Sequence, residues 1–341
     1  MSRRFLTLGL PVAALSLAVT ATAPTSAQSV ADFYEGKNIE IYVGAGAGGG
    51  YGLYSRVLAE FMARHIPGKP TMTLKFMAGS AGVKAANYLY NVAPKRGTSL
   101  GFFLSSQPTS EATGRKGVKY KSANFHWLGR MVDIITVVTL KRTAPATTLE
   151  GLKKTEVIAG ITRPGSTTHI PYAIMNWALG TKFKIVSGYK GSAGPALAFD
   201  RGEVDTVAAP WGTLRTRRPH MLKEISFVQV ALAKDPQRQD VPLMLDLVKD
   251  PAKKTAVRFL SAQASFGRTL TAPPGVPADR VAALRKAFDD TMADPVFVAA
   301  AKKRKMAIAP MSGVELEKLV REHLATPADI IRVAKKAAGM K

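Results

Sequence analysis

The chain of 341 residues carries 48 Lys and Arg against 24 Asp and Glu, a formal charge of +24, and no cysteine. Without thiols it has no disulfide, no thiolate metal site and no cysteine nucleophile, so packing alone must hold it together. Its length exceeds what one hydrophobic core usually serves, which predicts two domains.

Arg3 and Arg4 precede an apolar run from Phe5 to about Val19, and small residues follow. That is the layout of a secretory leader, and the run is shorter than the roughly 20 residues of a membrane-spanning helix. Thr25-Ser26-Ala27 is the better cleavage site and Ala21-Thr22-Ala23 the second. Residues 1–27 are therefore expected to be a signal peptide, cleaved near Ala27 to release a periplasmic protein that begins at Gln28. Ser2-Arg3-Arg4 lacks the spacer of a twin-arginine signal, which leaves ordinary unfolded export. Export removes nucleic acid as the partner of so basic a chain. The scattered charge reads either as a field that attracts anionic solutes or as a solvated surface with no specific purpose.

From residue 38 onward, short β-branched runs, small-residue punctuation and amphipathic segments alternate, which predicts α/β layers. Residues 38–43 read as a strand, 44–52 as a loop, and 53–66 as a helix with Leu53, Val57, Phe61 and His65 near one face. A strand at 71–76, a turn at 78–82 and a helix at 83–91 follow; the strand 99–104 then runs into Ser105-Ser106. The syntax restarts with a crossover strand at 134–141 and a short capped helix at 148–153. Next come a strand at 157–161, a polar turn at 162–168, a helix at 169–179 and a strand at 184–186. The turn 188–194 enters a helix at 193–201, and the strand 205–208 stops at Pro210-Trp211. The chain returns through 266–271 and a proline-rich turn at 273–277 to helices at 278–292 and 314–324.

Gly44-Ala45-Gly46-Ala47-Gly48-Gly49-Gly50-Tyr51-Gly52 lies where a strand hands over to a helix. Residues without side chains let a ligand reach the backbone, and free amides at a helix start offer donors to a phosphate or a carboxylate. The stretch contains G-x-G-x-x-G, but the second strand ends at Lys75-Phe76-Met77 with no acid for a ribose, which argues against a dinucleotide. Similar donor-rich turns recur at 78–82, 162–168 and 189–194, each after a strand, where ligands of open α/β sheets bind. Gly49, Gly50 and Ala81 are candidate backbone contacts; Ser80, Ser105, Ser106, Ser166, Thr167, Thr168 and Ser192 are candidate hydroxyl contacts. A lone hydroxyl in such a turn is more often a helix cap, so the recurrence carries the argument. Arg163 is the permanent cation inside one turn and suits a carboxylate bidentately, while Tyr51, Tyr54, Tyr189 and Trp211 are candidate cleft walls. The five histidines are dispersed without metal spacing, no G-x-S-x-G elbow or Walker lysine is present, and neither a metal nor a cofactor is expected.

In this order the residues resemble the receptors of tripartite tricarboxylate transporters, the Bug-type extracytoplasmic solute receptors. Residues 47–56 are similar to that family's first signature, and Ala78 to Gly82 to its Pro-Gly-Ala-Gly turn. Pro94 to Leu100 resembles its Pro-x-Gly-x-Thr motif, and Gly188 to Ser192 with Arg201 to Asp205 its Tyr-x-Gly and Gly-Glu-Val-Asp pair. Pro273 to Pro277 resembles its Ala-Pro-x-Gly-x-Pro return. The family's Asp falls on Gly52, and Ala47 and Ala78 replace its signature prolines, which disfavours a ligand with an amino group. The resemblance implies a two-lobe periplasmic binding protein of type II-like α/β fold, hinge-linked around a ligand cleft. Lobe I is expected at 29–133 plus 256–341 and lobe II at 134–255. It further implies a monomer, not an enzyme, that takes a small carboxylate, aromatic ones included, to the two membrane subunits of a permease. The alternative is an exported hydrolase acting on a small ester or amide.

Overall fold

The computed structural model describes Met1, residues 29–191 and residues 193–340. The expected leader beyond Met1, its cleavage site and Ser192 lie outside the described residues.

The strands, in chain order, are β1 (Asn38–Val43), β2 (Thr71–Phe76), β3 (Ser99–Phe103), β4 (His126–Arg130), β5 (Thr136–Leu140), β6 (Val157–Gly160), β7 (Phe183–Val186), β8 (Thr206–Pro210), β9 (Ile225–Val230), β10 (Thr269–Ala272) and β11 (Met311–Ser312). They form a six-stranded sheet in the order β11-β4-β10-β3-β1-β2 and a five-stranded sheet in the order β7-β6-β8-β5-β9. The first sheet shows why each strand sits where it does. Central β3 is buried at every residue, as a strand covered on both faces must be. Edge β2 alternates Thr71, Thr73 and Lys75 with half-buried residues, which suits a strand with one side open to water.

Pairing direction decides where the loops gather. β1 runs parallel to β2 and β3, so the carboxyl ends of all three point the same way. β10 enters antiparallel with Thr269 opposite Phe103, which brings its first residue to that same end. In the second sheet β6 is parallel to β7 and β8, and antiparallel β5 sets Thr136 opposite Pro210.

Each sheet has its own core. Ile39, Ile41, Leu58, Phe102, Leu270 and Phe288 pack in the first, and Val138, Val157, Ile174, Met175, Val228 and Leu260 in the second. The chain passes between them at 131–135, at 262–268 and at 325–327. The first two passages are bonded to each other, Met131 N–H to the Arg268 carbonyl at 2.8 Å and Arg268 N–H to the Val132 carbonyl at 2.9 Å. Gly267 turns there with φ 61°, and a Cβ would collide with the Val132 carbonyl, so glycine is required.

The packing departs from the expected division of the chain in two segments. The boundary at 255/256 falls inside the helix Pro251–Ser261, whose Val257 and Leu260 belong to the second core. The terminal helix Ala328–Ala337 packs beside it through buried Ala334, Ala337 and Ala338, and so also joins the second core. Small alanines permit this close approach, and their pattern does not say which sheet lies beneath. A second departure shapes the site: the helix expected from residue 53 begins three residues earlier, as Gly50–Met62, because extended Gly49 (φ −94°, ψ −176°) already serves as its cap.

Candidate ligand-binding cleft

A cleft of about 550 Å³ separates the two sheets at the carboxyl ends of their parallel strands. The loops after β1, β2 and β3 line one side, those after β6, β7 and β8 the other, and the passages around Ile134 and Arg268 close the base.

On the first side, Leu53 N–H makes the first helical bond, to the Gly49 carbonyl at 3.1 Å. The amides of Gly50, Tyr51 and Gly52 therefore have no acceptor within the helix, and the positive end of its dipole is exposed to the cleft. Ala47 folds back over this turn, its carbonyl accepting from Arg56 Nη2 at 2.8 Å. A Cβ on Gly52 would collide with that carbonyl, so no side chain fits at the position where the resemblance puts an Asp. Tyr51 lines the cleft, and its hydroxyl accepts from the Ser105 N–H at 2.9 Å; burial raises the pKa of this phenol. In the next turn Ser80 (φ 48°), Ala81 (φ 53°) and Gly82 (φ 84°) are all left-handed, and Gln107 Nε2 holds the Ala81 carbonyl at 2.8 Å. Left-handed backbone at a non-glycine residue costs roughly 1–2 kcal/mol, a kind of strain that concentrates at functional turns.

On the second side the turn after β6 is tied to itself. Ser166 Oγ donates to the Arg163 carbonyl at 2.7 Å and lies 2.9 Å from Thr168 Oγ1, which accepts from the Thr162 N–H at 3.1 Å. These hydroxyls hold the shape of the turn, while Thr167 lines the cleft beside them. His169 Nδ1 accepts from the Gly165 N–H at 3.1 Å, and burial lowers its pKa, which suits a neutral ring that caps its own loop. Half-buried Arg163 makes no ion pair among the described residues; burial, and after it the charge of Arg115, pushes its pKa down. Tyr189 forms a wall against Gly160.

Four of the candidate residues lie away from the lining. Tyr54 is in the first core with its hydroxyl donating to the Ala307 carbonyl at 2.9 Å. Ser80 is exposed beside the cleft, its strained turn presenting Ala81 instead. Ser106 is buried where the helix Gln107–Ala112 begins. Trp211 opens the helix Trp211–Arg217, packs with Val137 and Leu214, and lies under the Arg238 guanidinium at 4.7 Å.

The structure adds Arg268, Gln263 and Thr213, which sequence reasoning missed. Arg268 immediately precedes β10, and the available signal was a lone arginine within the small and apolar stretch 264–272. Among the described residues that line the cleft, the charged side chains are Arg163, Arg217, Arg218 and Arg268, with no Asp or Glu. Only Arg218 of these is paired, with Asp200. No group of three or more His, Asp or Glu among the described residues is placed to hold a metal ion, and no described helix is long and apolar enough to cross a membrane.

No protein-family model matches the chain, and no curated protein matches it. Solved structures do. The periplasmic binding protein BugD superposes with a TM-score of 0.70 at 19% identity, covering 90% of this chain and 99% of its own. The chain has the two-lobe fold of these binding proteins. An R. palustris protein solved with adipate gives 0.69 at 17% identity over 89% of this chain and 97% of its own. MatC from Rhodopseudomonas palustris, solved with malate, gives 0.66 at 18% identity over 86% and 99%. The cleft described above lies between the two lobes of this fold.

Proposed function

We propose that the protein is a periplasmic solute-binding receptor that captures a small mono-, di- or tricarboxylate, aromatic ones included. It delivers that acid to the two membrane subunits of a tripartite tricarboxylate-type permease. One observation carries this reading: free helix-start amides face a turn whose arginine has no ion pair, across a cleft lined by no carboxylate, among the described residues. An anion is the ligand that such a surface lacks. The similar structures solved with adipate and malate agree with it.

In this reading Gly49, Gly50, Tyr51, Ala81 and Ser105 meet the solute from the first lobe, and Arg163, Ser166, Thr167, Thr168 and Tyr189 from the second. The receptor works as a monomer whose leader is removed on export, and its lobes move about the passages at 131–135 and 262–268. Closure strips water from the anion as fixed N–H donors replace it, so that little reorganisation is needed on binding. Isothermal titration with a panel of organic acids and their uncharged amides tests the proposal. Saturable heat with at least one acid and none with its amide is expected; no heat with any acid overturns it.

A further inference from the structure

Arg268 is 2% exposed, yet lines the cleft. Its guanidinium lies 4.1 Å from the Tyr54 ring centroid and 5.4 Å from that of Tyr51, so cation–π contacts hold it against the first lobe. Nη2 donates to Thr213 Oγ1 at 3.3 Å, and Nε is buried with no partner among the described residues. No acid lies within ion-pair distance of it among the described residues. Asp133, whose carboxyl senses the Arg268 charge, does not line the cleft. The Arg268 guanidinium also sits where a Cβ on Gly50 would be, at the first residue of the helix Gly50–Met62. A buried cation thus faces the positive end of a helix dipole, an arrangement that is unfavourable until an anion enters between them.

We propose that Arg268 is a direct ligand of the solute's carboxylate, which bridges its guanidinium and the amides of Gly50 and Tyr51. Thr213, on the opposite lobe, closes the pocket over the same charge. This rests on the receptor reading and deepens it: at this pole the cleft requires a carboxylate, because a neutral group would leave the buried guanidinium without a counter-charge. The missing side chain of Gly50 leaves the space that the guanidinium occupies, and a Cβ there would push the guanidinium aside.

The test is calorimetric titration of wild type, Arg268→Gln, Arg268→Lys, Gly50→Ala and Thr213→Val with malate, adipate and benzoate, with a thermal melt of each variant. Removing one partner of a desolvated charge pair weakens binding by about a hundredfold, so Arg268→Gln should lose that much for the best acid, and Arg268→Lys less. Gly50→Ala, whose Cβ displaces the guanidinium, should lose at least about tenfold with the arginine still present. Folded Arg268→Gln protein that binds within twofold of wild type overturns the proposal and leaves the receptor reading standing. If Arg268→Gln does not fold, wild-type affinity in both Gly50→Ala and Thr213→Val overturns it equally. Absence of binding by wild type to any acid removes the receptor reading itself, and this inference with it.

Discussion

His323 lies flat on Phe259, with ring centroids 4.4 Å apart and 5° between their planes. The two come from different bodies: His323 lies in the last turn of the helix Gly313–Leu324, which packs on β4, and Phe259 belongs to the second core. The stack therefore joins the lobes beside the third passage of the chain, and the imidazole Nε2 is 3.0 Å from Thr109 Oγ1.

Burial lowers the His323 pKa to about 4, from an ordinary value of 6.5. A folded-state pKa below the unfolded one means that the neutral ring contributes stability in full above about pH 6.5. That contribution is lost as pH falls from there toward 4, because only the unfolded chain takes up the proton easily. At about 1.4 kcal/mol per pKa unit the loss is roughly 3 kcal/mol. Thermal melts from pH 7 to pH 4 should fall more steeply for wild type than for His323→Gln.

Gly52 has no room for a side chain beneath the Ala47 carbonyl. Gly52→Ala should cost about 1–3 kcal/mol in chemical denaturation, as overpacking does, and weaken solute binding by moving the glycine turn. Full stability in this variant would mean that the turn relaxes freely.

Arg163 and Ser166 share a turn but should respond differently. Arg163→Ala removes a half-buried cation that has no acid partner among the described residues. It should leave the melting temperature unchanged or raise it, while weakening carboxylate binding and flattening its salt dependence. Ser166→Ala breaks the hydroxyl contacts to the Arg163 carbonyl and Thr168. It should lower stability by about 1 kcal/mol with a smaller effect on affinity. Paired melts and titrations at two salt concentrations separate the two behaviours.

Ala81 holds φ 53°. Ala81→Gly relieves that strain but adds unfolded-state entropy, for a net gain of about 0.5–1 kcal/mol in denaturation experiments. A loss of stability would show that the methyl contact outweighs the strain.

Much of the architecture is legible in local pattern. The strands 38–43 and 71–76 and the helix 83–91 have the bounds that alternation and punctuation predict. The small-residue turns after β1, β2 and β6 were visible as turns because Gly, Ser and Thr mark them at short range. Their meeting at one cleft followed from a rule about parallel strands rather than from any one residue.

What the chain alone determined is therefore the class of fold and the chemistry of its turns, since hydrophobic period and glycine placement act over a few residues. Arg268 became a cleft residue only through the antiparallel pairing of Thr269 with Phe103, and the terminal helix joined the second core through the packing of residues such as Ala334 and Ala337. Both depend on contacts between segments far apart in sequence, where strand direction and close packing decide which way a side chain faces. The same packing gathered Arg268, Gly50 and Thr213 at one point, a convergence that no local pattern encodes.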